Sequence, residues 1–215
     1  MYISWDIMTA TPTPTDRLQR LYEIAATQAG HFTTAQARSV GYSGRSLVHH
    51  TDAGHFERIS RGLYRLPGVP ADSHEDIVAA WLKSARRRAV VSHDTALALY
   101  DLAPSRTFEI HLTVPRGRRP RTTQASTNVR IHTTTTPLRR DEVASRFSVR
   151  ITSPARTIAD VAALGSDPSV VMEAAARALA TGLASPRELS AAVRRRSARV
   201  QQLVNRAIQA AGDRA

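Results

Sequence analysis

Residues 41–66 form a short segment that is dense in side chains able to bind anions or metal ions. The segment reads GYSGRSLVHHTDAGHFERISRGLYRL, with three histidines and four arginines. Arginine makes paired hydrogen bonds to phosphate and to base edges, whereas histidine can donate, accept or ligate a metal. On a helix, the neighbouring His49 and His50 point about 100° apart, so they do not converge on one ion. The segment therefore favours contact with a polyanion over metal binding.

Motifs for catalysis or for a cofactor are not found. The chain has no cysteine, which excludes thiolate zinc sites and disulfides. His74 has no second histidine at HExxH spacing, GYSGR departs from G-x-S-x-G at Arg45, and Lys83 lacks a glycine-rich lead. The 18 acidic residues are scattered rather than clustered as in two-metal nucleases. We expect no enzymatic activity, no cofactor and no bound metal.

The composition indicates a globular protein with an anionic partner. The chain has 215 residues, a net charge of +12 and a pI of about 11.3, and Lys83 is the only lysine among its 30 basic residues. A chain this basic binds polyanions at low salt. It shows no signal peptide and no apolar run of about 18 residues, so we expect a cytoplasmic protein without a membrane span.

The region before this segment is predicted to be helical. Residues 1–14, rich in threonine and proline, are predicted to be a flexible tail. A helix over 15–30, capped by Thr15, places four apolar residues on one face: Leu18, Leu21, Tyr22 and Ala25. A second, short helix is predicted within TTAQARSVG, because Thr33 and Gln36 have capping-box spacing.

A third helix over 44–54, capped by Ser43, follows after a turn of only three residues. Two helices joined by a tight turn with glycine have helix-turn-helix spacing. Three residues are predicted to face inward: Leu47, Val48 and Thr51. The opposite side carries donors and little bulk, which suits a helix in the major groove: Arg45, Ser46, His49 and His50.

A hairpin is predicted next, because FERIS and LYRL flank the turn Arg61-Gly62. Three apolar residues are predicted to face the helices: Ile59, Tyr64 and Leu66. Three arginines are predicted to cluster at and beside the turn, where a phosphate backbone would pass: Arg58, Arg61 and Arg65. Three helices and a basic hairpin predict a winged helix-turn-helix domain over 15–70, ending in a proline- and glycine-rich boundary.

Residues 73–215 predict a second domain of mixed α+β structure. SHEDIVAAWLKSARRR predicts a helix, Val90-Val91 a strand, and HDTALALYDL a helix capped by Ser92. FEIHLTVP, NVRIHTT and FSVRITS alternate as strands, and after Ser153 the pattern is helical to the end. The predicted fold class is α+β: an amino-terminal winged helix-turn-helix followed by a mixed α+β domain with a helical carboxy-terminal part.

The order of four motifs resembles a known family. RISRGLYRLPG is followed by VVSHDTALALYDL, then IHLTVPRGRR, then RITSPARTIADVAAL. In this order and spacing, over roughly positions 16–195, the sequence resembles the AbiEi-type antitoxins of type IV toxin–antitoxin systems, in particular actinobacterial members.

The resemblance implies an amino-terminal domain that binds double-stranded DNA and represses its own promoter. It also implies a carboxy-terminal domain that counteracts a nucleotidyltransferase-type toxin without forming a stable complex with it. We expect inverted repeats in the promoter and a homodimer on DNA. The predicted DNA-binding set comprises Ser43, Arg45, Ser46, His49, His50, Arg58, Arg61 and Arg65.

The segment VPRGRRPR, 114–121, is the strongest local feature of the second domain. It is similar to an AT-hook, but an extra arginine before Pro120 departs from the RGRP core. Contact with a minor groove, contact with RNA and a solvated loop all remain open. The arginines concerned are Arg116, Arg118, Arg119 and Arg121.

Two alternative functions also remain open. The first is a winged-helix transcriptional regulator without a toxin partner. The second is a nuclease or nucleotide-modifying enzyme, and a cleavage assay would separate it from the other two.

Overall fold

The structure of the chain is a computed structural model that describes residues 13–70, 72–84, 89–104, 108–118 and 128–213. The chain divides into two compact units, Met1–Glu75 and Asp76–Ala215. The predicted tail, 1–14, lies outside the described residues except for its last two. Among the described helices, none has the length and apolar character needed to cross a membrane.

The first unit combines three helices with a small antiparallel sheet. Its elements are, in chain order, α1 (Pro14–Ala26), β1 (His31–Thr33), α2 (Thr34–Ser39), α3 (Gly44–Asp52), β2 (Glu57–Ser60) and β3 (Leu63–Arg65). The strand order is β1-β3-β2. The three helices, the tight turn and the hairpin that the sequence predicts are present, while strand β1 is an addition that the sequence analysis missed.

Local capping explains where the helices of this unit begin. α1 is capped by Thr13 rather than by the predicted Thr15, with Asp16 completing a capping box. The predicted capping box of α2 and the predicted cap of α3 by Ser43 are both confirmed. α1 ends at Ala26, earlier than predicted, and Gly30 enters β1 with φ +81°, a conformation that favours glycine.

The core of the first unit is aromatic. Phe32 is fully buried, stacks on Tyr64 at 5.6 Å between ring centroids, and meets Phe56 edge-on at 5.2 Å. Leu21 and Leu47 pack into the same cluster. The sequence correctly assigns Leu21, Ala25, Leu47, Tyr64 and Leu66 to the interior.

Four other residues predicted to face inward are exposed: Leu18, Tyr22, Val48 and Ile59. For Ile59 the cause is an irregularity in the pairing of β2 with β3 between Arg58 and Ser60, because one extra residue reverses the side-chain alternation.

The second unit has a five-stranded mixed sheet and a helical carboxy-terminal part, as the fold class predicts. Its elements are α4 (Glu75–Lys83), β4 (Val90–Val91), α5 (His93–Leu99), β5 (Ile110–Pro115), β6 (Val129–Thr134), β7 (Val143–Arg146), β8 (Val149–Thr152), α6 (Pro154–Leu164), α7 (Pro168–Ala180), α8 (Pro186–Val193) and α9 (Ala198–Gly212). The strand order is β6-β5-β4-β8-β7.

Strand β7 is the element of this unit that the sequence analysis missed. Its residues, VASR, are small or polar and show little alternation. The strand forms by antiparallel pairing with β8. Phe147 and Ser148 join the two strands, both at positive φ, as in a type I′ hairpin turn.

A buried ion network holds the helical part to the sheet. Asp160 of α6 is 5% exposed and accepts from Arg156 Nε at 2.9 Å and from Arg196, which follows α8. Arg156 Nη1 also donates to Glu142 at 3.1 Å, just before β7. The network therefore ties α6 to β7 and to the link between α8 and α9.

Candidate nucleic-acid interface

Helix α3 is anchored by one buried residue and presents polar side chains to solvent. Leu47 is 1% exposed, while Arg45 and His49 are exposed. Ser43 and Ser46 bond reciprocally, with the Ser46 N–H donating to Ser43 Oγ at 3.0 Å and the Ser43 N–H donating to Ser46 Oγ at 2.8 Å. These hydroxyls fix the start of the helix. Arg45 and His49 are then the hydrogen-bond donors that its exposed face offers to a partner.

His50 is held differently from His49. Its ring lies 4.9 Å from Phe56 and 5.4 Å from Tyr42, and its Nδ1 is 3.2 Å from Nδ1 of His55. Burial lowers the pKa of His50, and His55 and His49 lower it further by charge repulsion. The ring therefore packs against Tyr42 and Phe56, unlike the exposed His49.

An apolar cavity of about 490 Å³ adjoins this ring cluster. It lies between the start of α1 and the end of α3. Its lining consists of Pro14, Thr15, Arg17, Leu18, Tyr42, Ser46, His50, His55 and Phe56. The half-buried face of α3 thus borders this cavity, whereas the face with Arg45 and His49 is exposed to solvent.

The hairpin presents two of its three predicted arginines. Arg58 and Arg61 are exposed, and Gly62 completes the turn with φ +80°. The position predicted for Arg65, beside the turn, is wrong, because Arg65 pairs with Glu57 at the far end of the hairpin. Its Nη2 donates to the Val69 carbonyl at 2.8 Å and its Nε lies 3.8 Å from Glu75. Its guanidinium is thus engaged within the unit.

The arginine-rich segment of the second unit begins at the end of β5. A 3₁₀ turn spans Arg116–Arg118, and Arg116 is exposed. Arg119 and Arg121 lie outside the described residues. β5 and β6 pair in parallel, so the two strands do not form a hairpin.

Three histidines that the sequence analysis did not single out meet in the second unit. His93 begins α5, His111 lies in β5 and His132 in β6. The rings of His93 and His132 stack at 3.6 Å between centroids, and His111 lies 5.0 Å from His132. Burial lowers the pKa of His93 to about 2 and that of His132 to about 4.

Only the sheet register brings this cluster together. Thr113 is the register partner of His132, and residues 111 and 113 share a face of β5 because side chains alternate. The available signal was one histidine on each of two predicted strands and a third at the start of the helix after Val90-Val91. Adjacency and HExxH spacing, which the sequence analysis tested, do not detect it.

Comparison with known proteins bears mainly on the first unit. Residues 19–67 match the model of a family described as "Transcriptional regulator, AbiEi antitoxin", which confirms the resemblance for this segment. No curated protein sequence matches the chain. The structure is similar to the crystal structure of the RV2827C protein from Mycobacterium tuberculosis, with a TM-score of 0.58 at 13% identity, covering 93% of this chain and 78% of that one.

Proposed function

We propose that the protein is a DNA-binding repressor of its own operon that also serves as the antitoxin of a type IV toxin–antitoxin system. The observation that carries the proposal is the match of 19–67 to antitoxin transcriptional regulators. That segment holds α2, α3 and the hairpin, so it contains the predicted DNA-contacting residues.

In this proposal α3 reads base edges and the hairpin positions the protein on phosphates. Arg45 and His49, both exposed on α3, are the base-reading side chains. Arg58 and Arg61, both exposed on the hairpin, neutralise phosphates, which fixes orientation without sequence preference. Ser43, Ser46 and His50 hold α3 in shape. Arg65 would support the hairpin from within.

The second unit would counteract a nucleotidyltransferase-type toxin, without enzymatic activity and without a stable complex. Two copies of the protein would bind inverted repeats in the promoter. The exposed Arg116 and the rest of the arginine-rich segment, Arg118, Arg119 and Arg121, are the first surface to consider for a nucleic-acid contact in this unit.

The experiment for the repressor half is DNA binding by the full chain to its own upstream region and to random duplex, in a salt series. We expect preference for the upstream region and a strongly salt-dependent affinity. Six to ten phosphate contacts would lower affinity by roughly 10³–10⁵-fold between 50 and 200 mM salt. Equal binding to both duplexes would contradict the repressor assignment.

The antitoxin half is tested by the gene next to this one. A neighbouring nucleotidyltransferase whose expression arrests growth, with rescue by this chain, is the expected result. Rescue failure with intact promoter binding would leave a plain transcriptional regulator. Metal-dependent cleavage of nucleic acid by the purified chain would instead favour the enzyme alternative.

A further inference from the structure

The histidine cluster of the second unit is built on three different elements. His93 stands at the amino end of α5, next to β4, while His111 and His132 lie on the neighbouring parallel strands β5 and β6. One ring nitrogen from each residue lies within 4.8 Å of the other two. His93 and His111 are buried and His132 is half-buried, so the cluster opens on the side of His132.

Three nitrogens of this cluster lack hydrogen-bond partners. Both ring nitrogens of His111 and Nε2 of His132 are buried without a hydrogen-bond partner. Buried polar atoms are bonded in the great majority of cases, so each of these nitrogens is free to bind a ligand. Three such nitrogens in a single cluster are more than a well-packed sheet interior normally leaves.

The backbone at His93 is also unusual. Its φ is +53°, a left-handed conformation that is strained for a residue other than glycine and that concentrates at functional sites. Ser92 occupies the cap position of α5 but its hydroxyl does not cap the helix. Instead it lies 2.9 Å from His93 Nδ1 and 2.8 Å from Thr113 Oγ1.

The hydroxyls of Ser92 and Thr113 can orient His93 as a metal ligand. When His93 donates Nδ1–H to Ser92 and Ser92 donates to Thr113, the lone pair of His93 is on Nε2. A second hydrogen bond of this kind is what fixes the tautomer of metal-binding histidines. Glu109, whose carboxylate is 3.9 Å from His111 Nε2 and 2.8 Å from Arg130 Nε, and Asp94 place negative charge beside His111.

From this geometry we infer that His93, His111 and His132 form a binding site for one divalent first-row transition-metal ion of the zinc class. Neutral imidazole is a preferred ligand of zinc, copper, nickel and iron. The burial that keeps these rings unprotonated removes the proton that would compete with the metal. Three protein ligands leave a fourth position for water, as in three-histidine zinc sites.

Coordination requires a modest movement of one ring. With metal–nitrogen bonds of about 2.0–2.1 Å, tetrahedral ligand atoms stand about 3.3 Å apart, which is closer than the 4.8 Å limit of this cluster. Stacked rings also direct their lone pairs nearly parallel rather than toward one point. His132 is the ring with access to solvent, so we expect it to turn out of the stack. The inference is independent of the proposed DNA-binding function.

The test uses the full-length protein, stripped with chelator and dialysed against Zn²⁺, with bound metal measured by mass spectrometry. We expect one equivalent of Zn²⁺ and a higher unfolding temperature. His132→Ala, at the half-buried position, should weaken Zn²⁺ binding by at least 10–100-fold. Co²⁺ in place of Zn²⁺ should give the visible absorption of a tetrahedral site in the wild type and lose it in His132→Ala.

Two histidines outside the cluster provide matched controls. His74→Ala removes a histidine paired with Asp72 and should bind Zn²⁺ like the wild type. His55→Ala removes the rival pair, whose Nδ1 atoms are 3.2 Å apart, and should also retain the ion. Far-UV circular dichroism verifies that each variant is folded. If His132→Ala does not fold, Ser92→Ala replaces it as the test, because it leaves all three rings in place and should lower the affinity for Zn²⁺. Loss of Zn²⁺ in His55→Ala, or no Zn²⁺ bound by the wild type, would overturn the inference.

Discussion

Arg45 is the residue on which sequence preference depends most in the proposed function. It is exposed at the amino end of α3, where residues of a recognition helix reach base edges. We expect Arg45→Ala to cost about 1–3 kcal/mol of discrimination against random duplex, with the fold unchanged. Fluorescence anisotropy with promoter and random duplexes measures this difference.

Arg20→Ala is the charge-matched control for Arg45, because Arg20 is exposed on α1 of the same unit and lies outside the predicted DNA-binding set. It should lower both affinities slightly and leave their ratio unchanged. If Arg45→Ala behaves like Arg20→Ala, a different face reads the DNA.

His31 makes the stability of the first unit depend on pH. It is 3% exposed, and burial lowers its pKa below the ordinary 6.5, against a smaller opposing effect of the Gln28 backbone carbonyl, which accepts from the ring. The unfolded chain therefore binds the extra proton first. Stability is complete above about pH 6.5 and is lost as the pH falls toward the folded pKa, by at most about 2 kcal/mol at pH 5.

Hydrogen exchange of the β1 and β3 amides at pH 7 and pH 5 measures this loss, after correction for the intrinsic exchange rate. His31→Leu places an apolar side chain that does not titrate at the buried site, so it should reduce the pH dependence of stability. An equal decline in His31→Leu would assign the effect to other groups.

At the scale of elements, the hairpin β2–β3 should contribute affinity without selectivity. Arg61 stands in its turn and is exposed, where it can neutralise one phosphate. Arg61→Ala should weaken binding to all duplexes alike and reduce the salt slope by about 1. The salt dependence of binding to promoter and random DNA checks both statements. A selective loss on the promoter alone would mean that the turn reads bases.

The ion network between α6 and its neighbours should dominate the stability of the second unit. Asp160 is 5% exposed and pairs with both Arg156 and Arg196, so Asp160→Asn removes the shared carboxylate charge and leaves Arg156 only its pair with Glu142. Breaking a buried pair in this way costs about 3–5 kcal/mol. Urea unfolding followed by hydrogen exchange in α6 measures the loss.

Asp141→Asn is the control, because Asp141 pairs with Arg139 at the surface, with 70% and 56% of the side chains exposed. Exposed pairs contribute about 0–1 kcal/mol, so this variant should unfold nearly like the wild type. A similar loss of unfolding free energy in the two variants would contradict the dominant contribution of Asp160.

For the whole molecule, we expect DNA binding and toxin neutralisation to be separable. The chain divides after Glu75, but Glu75 contacts Arg65 and also starts α4. Overlapping fragments 1–75 and 73–215 keep both contacts. Fragment 1–75 should bind DNA more weakly than the full chain, because a domain of about 60 residues is marginally stable. The fragment also lacks the second unit, which we expect to bring two copies together on DNA.

Growth rescue under toxin expression tests the other fragment. Fragment 73–215 should neutralise the toxin and lose repression. A full-length variant tests whether the arginine-rich segment takes part in neutralisation. It carries alanine at Arg116, Arg118, Arg119 and Arg121. Rescue by 1–75 alone would place neutralisation in the DNA-binding unit and contradict the division.

Much of the element order is determined by residues close together in the sequence. Thr33 with Gln36, and Ser43 with Ser46, start their helices through hydrogen bonds between residues three apart. The Arg61-Gly62 turn likewise depends on one glycine at positive φ. Because such interactions are local, the sequence alone predicts α2, α3 and the hairpin, together with the exposure of Arg45, Arg58 and Arg61.

Tertiary structure alone decided the features that depend on pairing between distant segments. β1 and β7 exist because β3 and β8 offer them partners, and the irregularity at Ile59 arises only in the β2–β3 register. Arg65 is drawn inward by Val69 and Glu75. The histidine cluster joins His111 and His132 through the parallel register of β5 and β6, and His93 through the pairing of β4 with β5. The alternation within one strand shows which of its side chains face inward, but it does not show which distant strand pairs with it, and that choice depends on how the sheet assembles.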